Sequence, residues 1–400
     1  MTMLCLVTLL LVPPVQDQKL ATVPEGIEVA EIYFSSDGKG VAYRGKKEGK
    51  EFVFVRDQRG EEFDAAYLYG LISDGRPVYS AWNRAAGKNV LVVGTKKGEP
   101  LDSVHEAAWS GDGKVVAFVA SVNYEDFVVT GERRGPVFKD VGRPVVSADG
   151  KVVAYRAERE WKRLCIVIND RPGEEYEDVS HPIIGPDGLV AYVAHKGEKR
   201  FVVLDGKKGE EFGSIAELLF RSDGTLAYLA RDGGKTFLVI GGKKEREFDA
   251  AEGYPMLAPE GREVAWVLNE GKWDRAYVLF RGKKGEEFNQ VSSVTISPDG
   301  THVTYVGMKH QNFENQRHFL VVDDRKGDDF DGVACPVFSV DGSAVACIVQ
   351  KGERQRVLVG SKFSEEFDWV AVPTFSPDGK HVLFGARKGR ELWRKSLSVR

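Results

Sequence analysis

Several short segments approach a catalytic or nucleotide-binding motif, and each lacks an essential residue. Gly40–Lys47 has the spacing of a phosphate-binding loop, but Lys47 stands where a serine or threonine must bind magnesium. His105 and Glu106 begin like a zinc-protease motif, but Trp109 occupies the position of the second histidine ligand. The Gly-x-Ser-x-Gly elbow of an attached hydrolase does not occur in the sequence. The motifs therefore predict no catalytic residue, no metal ligand and no organic cofactor.

Side chains of very different chemistry occupy one fixed position, six residues before a turn that recurs along the chain. Strand-core positions vary only among apolar residues, whereas this position holds acids, bases and aromatic residues. We therefore predict a ligand site at this position, which we call the channel mouth, where a divalent cation or a cationic group could bind. The alternative is a set of tolerant loop positions. The predicted ligand-binding residues are Glu31, Glu106, Arg143, His181, Glu217 and Tyr254.

A second candidate site is the segment Lys309–His318, the longest departure from the repeat, which we interpret as an inserted loop. Aromatic residues exposed in loops can anchor a protein partner. The alternative is that they only cover the ends of strands. The predicted partner-binding residues are His310 and Phe313 of this loop, and Trp161 and Trp273 of the corresponding loops in other units.

The elements that must position these residues follow from an internal repeat. An Asp-Gly or Glu-Gly turn returns at intervals of 36 to 42 residues. Such a turn between two apolar runs favours a β-hairpin, because glycine accepts a positive φ and aspartate binds local backbone donors. The turns are Asp37–Gly38, Asp74–Gly75, Asp112–Gly113, Asp149–Gly150, Asp187–Gly188, Asp223–Gly224, Glu260–Gly261, Asp299–Gly300, Asp341–Gly342 and Asp378–Gly379.

Each repeat of about 37 residues holds four short strands and has no room for helices. Strands A and B flank the turn, strand C follows a polar loop, and strand D is expected to be a short run such as Asp368–Val372. The sequence thus predicts an all-β fold, a β-propeller of about ten four-stranded blades. The last unit lacks strand D, and we expect Gly26–Val29 to supply it, which would close the ring and remove an exposed edge.

Composition restricts the partners and the chemistry. Lysine and arginine number 56 against 60 acidic residues, a net charge of −4, which disfavours a nucleic-acid partner. Segments such as Gly206–Phe212 carry Lys-Lys-Gly-Glu-Glu, so we expect ion-paired blade edges and no basic stripe. The four cysteines show no Cys-x-x-Cys spacing. Cys335 and Cys347 flank one predicted hairpin turn and form either a cross-strand disulfide or two small buried hydrophobic residues.

The N-terminal residues have the character of an export signal. The apolar run Leu4–Val12 is too short to span a bilayer and fits the hydrophobic region of a secretory signal. We therefore predict a signal peptide or leader over residues 1–18, a single propeller domain over residues 19–400, and a periplasmic or extracellular location. No transmembrane span is predicted.

Three ten-residue segments, Val146–Tyr155, Ile296–Tyr305 and Phe375–Phe384, resemble the WD40-like repeat of TolB-type bacterial propellers. The resemblance covers about Glu25–Arg400 and implies a β-propeller that serves as a rigid platform for partners. We therefore predict a secreted or periplasmic scaffold that binds a protein or peptide without catalysis. The alternative is a propeller hydrolase of the glycosidase or lactonase type, working through the channel-mouth carboxylates.

Overall fold

Ten separate four-stranded antiparallel sheets follow one another along the chain in the computed structural model, and they form a β-propeller. The structure describes residues 16–35, 38–249, 253–269, 275–310 and 316–399. Each sheet is one blade with strands A, B, C and D, which follow in chain order except in blade 10, whose strand D is β1; strand A is split into two short pieces in blades 4, 5 and 10. The predicted all-β, ten-bladed fold is confirmed.

The strands are listed here blade by blade. Blades 1 to 5, preceded by β1 (Gln18–Thr22), contain β2 (Glu28–Phe34), β3 (Val41–Lys47), β4 (Lys50–Val55) and β5 (Gln58–Phe63); β6 (Ala65–Leu71), β7 (Pro77–Asn83), β8 (Lys88–Val93) and β9 (Lys96–Lys97); β10 (Ser103–Trp109), β11 (Val116–Val122), β12 (Glu125–Thr130) and β13 (Arg133–Arg134); β14 (Asp140–Val141), β15 (Val145–Val146), β16 (Val153–Glu160), β17 (Arg163–Ile168) and β18 (Arg171–Pro172); β19 (Asp178–Val179), β20 (Ile183–Ile184), β21 (Val190–Lys196), β22 (Lys199–Leu204) and β23 (Lys207–Phe212). Blades 6 to 10 contain β24 (Ser214–Phe220), β25 (Leu226–Asp232), β26 (Lys235–Ile240) and β27 (Lys243–Asp249); β28 (Gly253–Leu257), β29 (Val264–Asn269), β30 (Ala276–Phe280) and β31 (Lys283–Lys284); β32 (Gln290–Ile296), β33 (Val303–His310), β34 (Gln316–Val322) and β35 (Arg325–Phe330); β36 (Gly332–Phe338), β37 (Val345–Lys351), β38 (Arg354–Val359) and β39 (Lys362–Phe363); β40 (Trp369–Val370), β41 (Thr374–Phe375), β42 (His381–Lys388) and β43 (Glu391–Ser398).

The hydrophobic core consists of layers between adjacent blades. Neighbouring residues of a strand point to opposite faces of the sheet. In β16 of blade 4, Ala154 and Tyr155 are nevertheless both buried. Ala154 packs in a cluster with Tyr192 of blade 5, and Tyr155 packs with Val119 of blade 3. Strands B and C are therefore apolar without alternation, because both faces of each blade are covered.

The N-terminus closes the ring, but through an earlier strand than predicted. Strand β1 pairs antiparallel with β43, so the last blade receives its fourth strand from the start of the chain. Leu20 of β1 and Leu392 of β43 share a buried cluster with Val41 of blade 1. The assignment of the closing strand to Gly26–Val29 was wrong, because Val29 pairs within β2 as strand A of blade 1.

Strand D is formed by the Lys-Lys-Gly-Glu-Glu-Phe segments, which were not expected to be strands. The predicted D segment Asp368–Val372 instead contains β40, which pairs with β42 as the first piece of strand A. The glycine allows a bulge against strand C, since a Cβ on Gly60 would lie 2.6 Å from the carbonyl oxygen of Val53. These residue types have low strand propensity, and pairing with strand C imposes the extended conformation on them.

The outer edges of the blades carry ion pairs, but the prediction that each edge pairs with itself holds only for pairs such as Arg59–Glu62. In the other pairs the partner lies in the preceding blade: Lys97 of blade 2 is 2.5 Å from Glu61 of blade 1 and lies over the ring of Phe63, 5.5 Å from its centroid. The same arrangement recurs around the ring in the pairs Glu99–Arg134, Glu174–Lys208, Glu210–Lys244 and Glu286–Lys326. The motif therefore fastens neighbouring blades together.

The repeated turn aspartates organise their own turns. Asp112 accepts a hydrogen bond from the Ser110 hydroxyl at 2.7 Å and from the backbone amide of Lys114 at 3.1 Å. These hydrogen bonds, the Ser110 hydroxyl first, lower the pKa of Asp112 to about 2. Asp299 is held in the same way, and its pKa is also lowered to about 2. The turn carboxylates thus form hydrogen bonds within their own turns.

The described cysteines are free thiols. Cys347 is buried in the cluster between blades 8 and 9, whereas Cys335 packs against the cluster between blades 9 and 10. The two side chains therefore lie on opposite faces of blade 9, which leaves small buried hydrophobic residues as their role. Burial raises the pKa of the Cys347 thiol to about 12, so this thiol is unreactive.

Candidate functional site

The variable position was assigned to a loop, but it lies in strand A at or beside a bulge in blades 1, 2, 3, 6, 8 and 9. It lies between the two pieces of strand A in blades 4, 5 and 10, and it is regularly paired in blade 7. The pairing of strands A and B shifts between Val29 and Glu31 in blade 1, and between His105 and Ala107 in blade 3. A residue at the bulge adopts a positive φ in four blades, namely Glu106, Glu217, Ser293 and Cys335. Strand A is the innermost strand of each blade, since consecutive A strands contact one another around the ring. The bulge therefore turns its side chain towards the channel.

Glu31 is held in a charged cluster inside blade 1. It accepts two hydrogen bonds from Arg44, at 2.8 and 3.2 Å, and one from the backbone amide of Leu68 in blade 2 at 3.2 Å. Arg44 also forms an ion pair with Glu51 at 2.8 Å, and Glu51 accepts a hydrogen bond from the backbone amide of Ala66. Burial lowers the pKa of Arg44, but hydrogen bonds to the two carboxylates outweigh it and raise the value. Glu31 thus joins blades 1 and 2.

Glu106, Arg143 and His181 lie close together on three consecutive inner strands. The Glu106 carboxylate is 4.0 Å from Nε of Arg143, and both side chains are exposed. The imidazole of His181 packs against Gly142, where an added Cβ would lie 3.0 Å from Cε1. The fold therefore places a carboxylate, a guanidinium and an imidazole at the channel mouth over blades 3 to 5.

Glu217 and Tyr254 lie on strand A of blades 6 and 7. Burial raises the pKa of Glu217, partly offset by a hydrogen bond from the backbone of Leu257. Tyr254 is 71% exposed, the second most exposed tyrosine of the described residues. The surroundings of Glu217 therefore disfavour its ionised form.

An aromatic wall, which the sequence analysis missed, lies beside Glu106 on the inner strands of blades 1 to 3. It consists of Tyr33, Tyr67, Tyr69 and Trp109. The Tyr67 and Tyr69 rings meet edge to face at 64°, with centroids 5.0 Å apart, and Tyr67 is 53% exposed. Gly70 makes the wall possible, because its φ is 152° and a Cβ there would lie 3.1 Å from the Trp109 ring and 3.8 Å from the Tyr33 ring. A glycine within the apolar run was the signal that could have revealed this close approach.

The structure places two of the four predicted partner-binding residues. Trp161 is exposed in the two-residue turn between β16 and β17, and His310 is exposed at the end of β33. Trp273 and Phe313 lie outside the described residues. Tyr124 is fully exposed in the corresponding turn of blade 3 and has a φ of 65°, an unusual conformation for a bulky residue. B–C turns and the beginnings of A strands lie at the same end of the blades, so these aromatic residues share a face with the channel mouth.

The described residues contain no group of three or more histidine, cysteine, aspartate or glutamate side chains that could hold a metal ion. The divalent cation in the channel stays a prediction. In the part of the chain that the structure describes, no helix is long and apolar enough to cross a membrane.

No protein-family model matches the sequence, and no curated protein is a significant match. Solved structures with similar architecture include propellers. TolB from Acinetobacter baumannii is 14% identical with a TM-score of 0.28, over 74% of this chain and 78% of that chain. The propeller domain of the Trilobed protease from Pyrococcus furiosus is 15% identical with a TM-score of 0.34, over 74% of this chain and 97% of that chain. The Dos1 propeller is 10% identical with a TM-score of 0.36, over 96% of this chain and 95% of that chain.

The likeness extends to the fold alone. With TM-scores below 0.5, none of these structures assigns a role to a residue of this chain. The function must therefore be argued from the channel mouth itself.

Proposed function

We propose that this chain is an exported, non-enzymatic scaffold that binds a protein or peptide on its channel-mouth face. We define this face as the end of the propeller that carries the bulged starts of the A strands and the B–C turns. A single observation carries the proposal: the residue at the variable position differs in chemistry from blade to blade, and Glu106, Arg143 and Tyr254 expose their side chains there, while the repeated charged residues elsewhere are used by the fold. Turn aspartates bind their own backbone, and edge lysines pair with the preceding blade.

Exposed aromatic residues on this face support a macromolecular partner. Tyr67, Tyr254, Tyr124 and Trp161 all lie there and are exposed. Tyrosine and tryptophan are enriched among the residues that dominate binding energy in protein interfaces, because they provide large apolar area at low entropic cost. The positive φ of Tyr124 is what the two-residue hairpin turn Asn123–Tyr124 requires, whereas its fully exposed ring forms no part of the core.

The rival function, hydrolysis of a glycoside or lactone, finds less support. A glycosidase needs two carboxylates at a fixed separation, one of them with a raised pKa. Burial raises the pKa of Glu217, but Arg44 occupies Glu31 and Arg143 lies next to Glu106. The double variant Glu106→Gln/Glu217→Gln tests this function: hydrolysis by the native chain that this variant abolishes would replace the scaffold proposal.

Site-specific photocrosslinking in the producing cell tests the scaffold proposal. A benzophenone amino acid is placed at Trp161 or Tyr254 on the channel-mouth face. Matched controls carry it at Lys114 and Lys151, which lie in A–B turns at the opposite end of the blades and are equally exposed. We expect the same discrete adduct from both face positions and none from the controls. Adducts from the control positions alone, or from all four positions equally, would contradict the proposal.

A further inference from the structure

We infer that the aromatic wall of blades 1 to 3 is a cation-binding subsite, which takes a quaternary ammonium, lysine or arginine group of the ligand. This inference rests on the proposed function, because it names the chemistry that the channel-mouth face recognises. A cation is attracted to the negative face of an aromatic ring, and most strongly when several rings and a carboxylate surround it.

The rings are held open by the fold. The Tyr69 hydroxyl lies 3.0 Å from the carbonyl oxygen of Val104 in blade 3 and donates to it, which fixes the ring between two blades. Tyr67 is inclined at 64° to Tyr69 and remains exposed on the inner strand. Trp109 and Tyr33 approach Gly70 from the two neighbouring blades. Tyr69 and Trp109 also pack against the core between blades 2 and 3, and Tyr33 packs against the core between blades 1 and 2, so Tyr67 is the exposed ring of the wall.

The wall lacks an internal cation, in contrast to aromatic rings elsewhere in the protein. At the outer edges, Lys97 lies over Phe63, Lys208 over Tyr176 and Lys244 over Phe212. Among the described residues, no lysine or arginine lies over any of the four rings of the wall. The fold therefore places its own cations over these outer aromatic rings and leaves Tyr67, the exposed ring of the wall, without a cation from the described residues.

The electrostatic surroundings of the wall favour a positive charge. Burial raises the pKa of Tyr33, and the neighbouring Tyr67 and Glu31 raise it further. Burial also raises the pKa of Tyr69 to about 12, and the Glu106 carboxylate contributes to this shift. Two carboxylates of the ring thus act on the wall. Arg143 is only loosely placed against Glu106, at 4.0 Å with both side chains exposed, so an incoming cation can compete for this carboxylate.

Choline and its neutral isostere 3,3-dimethylbutan-1-ol test the inference on the full chain. The two have the same shape, so binding that depends on charge separates them. Dissociation constants are measured by ligand-detected NMR, with sodium and chloride held constant. We expect choline to bind at least tenfold more tightly than the isostere. We also expect Tyr67→Ala to weaken choline at least tenfold, Tyr67→Phe to preserve binding, and Glu106→Gln to weaken it several-fold.

The matched control is Tyr124→Ala, which removes a still more exposed tyrosine from the same face and should leave choline binding unchanged. Thermal melts of all variants establish that Tyr67→Ala is folded. Equal binding of choline and the isostere, or choline binding that survives Tyr67→Ala, would overturn the cation subsite. The scaffold proposal fails separately, through the photocrosslinking pattern, because that experiment does not depend on the charge of the ligand.

Discussion

Replacement of Arg44 by methionine is the sharpest test of how the inner strands are held together. The guanidinium lies between Glu31 and Glu51, and the three side chains are only 12% to 23% exposed. Methionine keeps most of the packing volume but removes the charge. The carboxylates of Glu31 and Glu51, which shared one cation, then face each other in a poorly solvated space. They still accept hydrogen bonds from the backbone amides of Leu68 and Ala66.

The magnitude follows from the degree of burial. Removal of one partner from a fully buried ion pair costs about 3–5 kcal/mol. Water still reaches this cluster, so the lower end of that range, about 3 kcal/mol, is the expected loss of unfolding free energy. Urea unfolding followed by tryptophan fluorescence measures it. The triple variant Arg44→Met/Glu31→Gln/Glu51→Gln should recover most of the loss, because it removes the uncompensated charges as well.

The matched control is Lys97→Met, which removes an exposed cation from a pair with Glu61 at the outer edge. Exposed pairs contribute about 0–1 kcal/mol, so this variant should stay close to the native protein. If Arg44→Met cost no more than Lys97→Met, or if the triple variant were no more stable than Arg44→Met, the assignment of Glu31 to a structural cluster would be refuted.

Three further predictions concern closure, turns and edges. Leu20→Ala should destabilise the chain by about 2–5 kcal/mol in urea unfolding, because Leu20 is buried in the cluster that closes the ring. The pKa of Asp112 is about 2 in the fold against about 3.9 in the unfolded chain, so its turn stabilises the fold fully above pH 4 and progressively less as the pH falls towards 2. In Asp112→Asn the melting temperature should therefore depend less on pH over that range. Gly60→Ala should cost about 1–3 kcal/mol and Gly98→Ala less, because the added Cβ would lie 2.6 Å from a carbonyl oxygen at Gly60 and 3.4 Å at Gly98.

Local chemistry was sufficient to predict the blades. The turn at Asp112 forms through its own serine and backbone neighbours, so its geometry was visible in the order of residues. The strands flanking such turns could be recognised for the same reason. Strand D could not, because its lysines, glycine and glutamates become extended only through pairing with strand C, which lies a turn away.

The location of the channel-mouth residues was predicted in part. The position six residues before each repeated turn was identified as the variable one, but it was assigned to a loop. One extra residue in a strand reverses the face to which the following side chains point, and a bulge leaves no clear mark in the sequence. Glu31 and Glu106 appeared equivalent for this reason, although Arg44 occupies the first within its blade and the second stays exposed.

By itself, the sequence determined the repeat, the number of blades and the all-β fold, because these depend on turns and apolar runs a few residues long. Tertiary structure alone decided which strand closes the ring, which faces Cys335 and Cys347 occupy, and which aromatic residues meet at the channel. Tyr33, Tyr67 and Trp109 belong to three different repeats, and only the curvature of the ring brings them together around Gly70. Contacts between repeats depend on the angle between blades, and this angle is set by packing over the whole molecule.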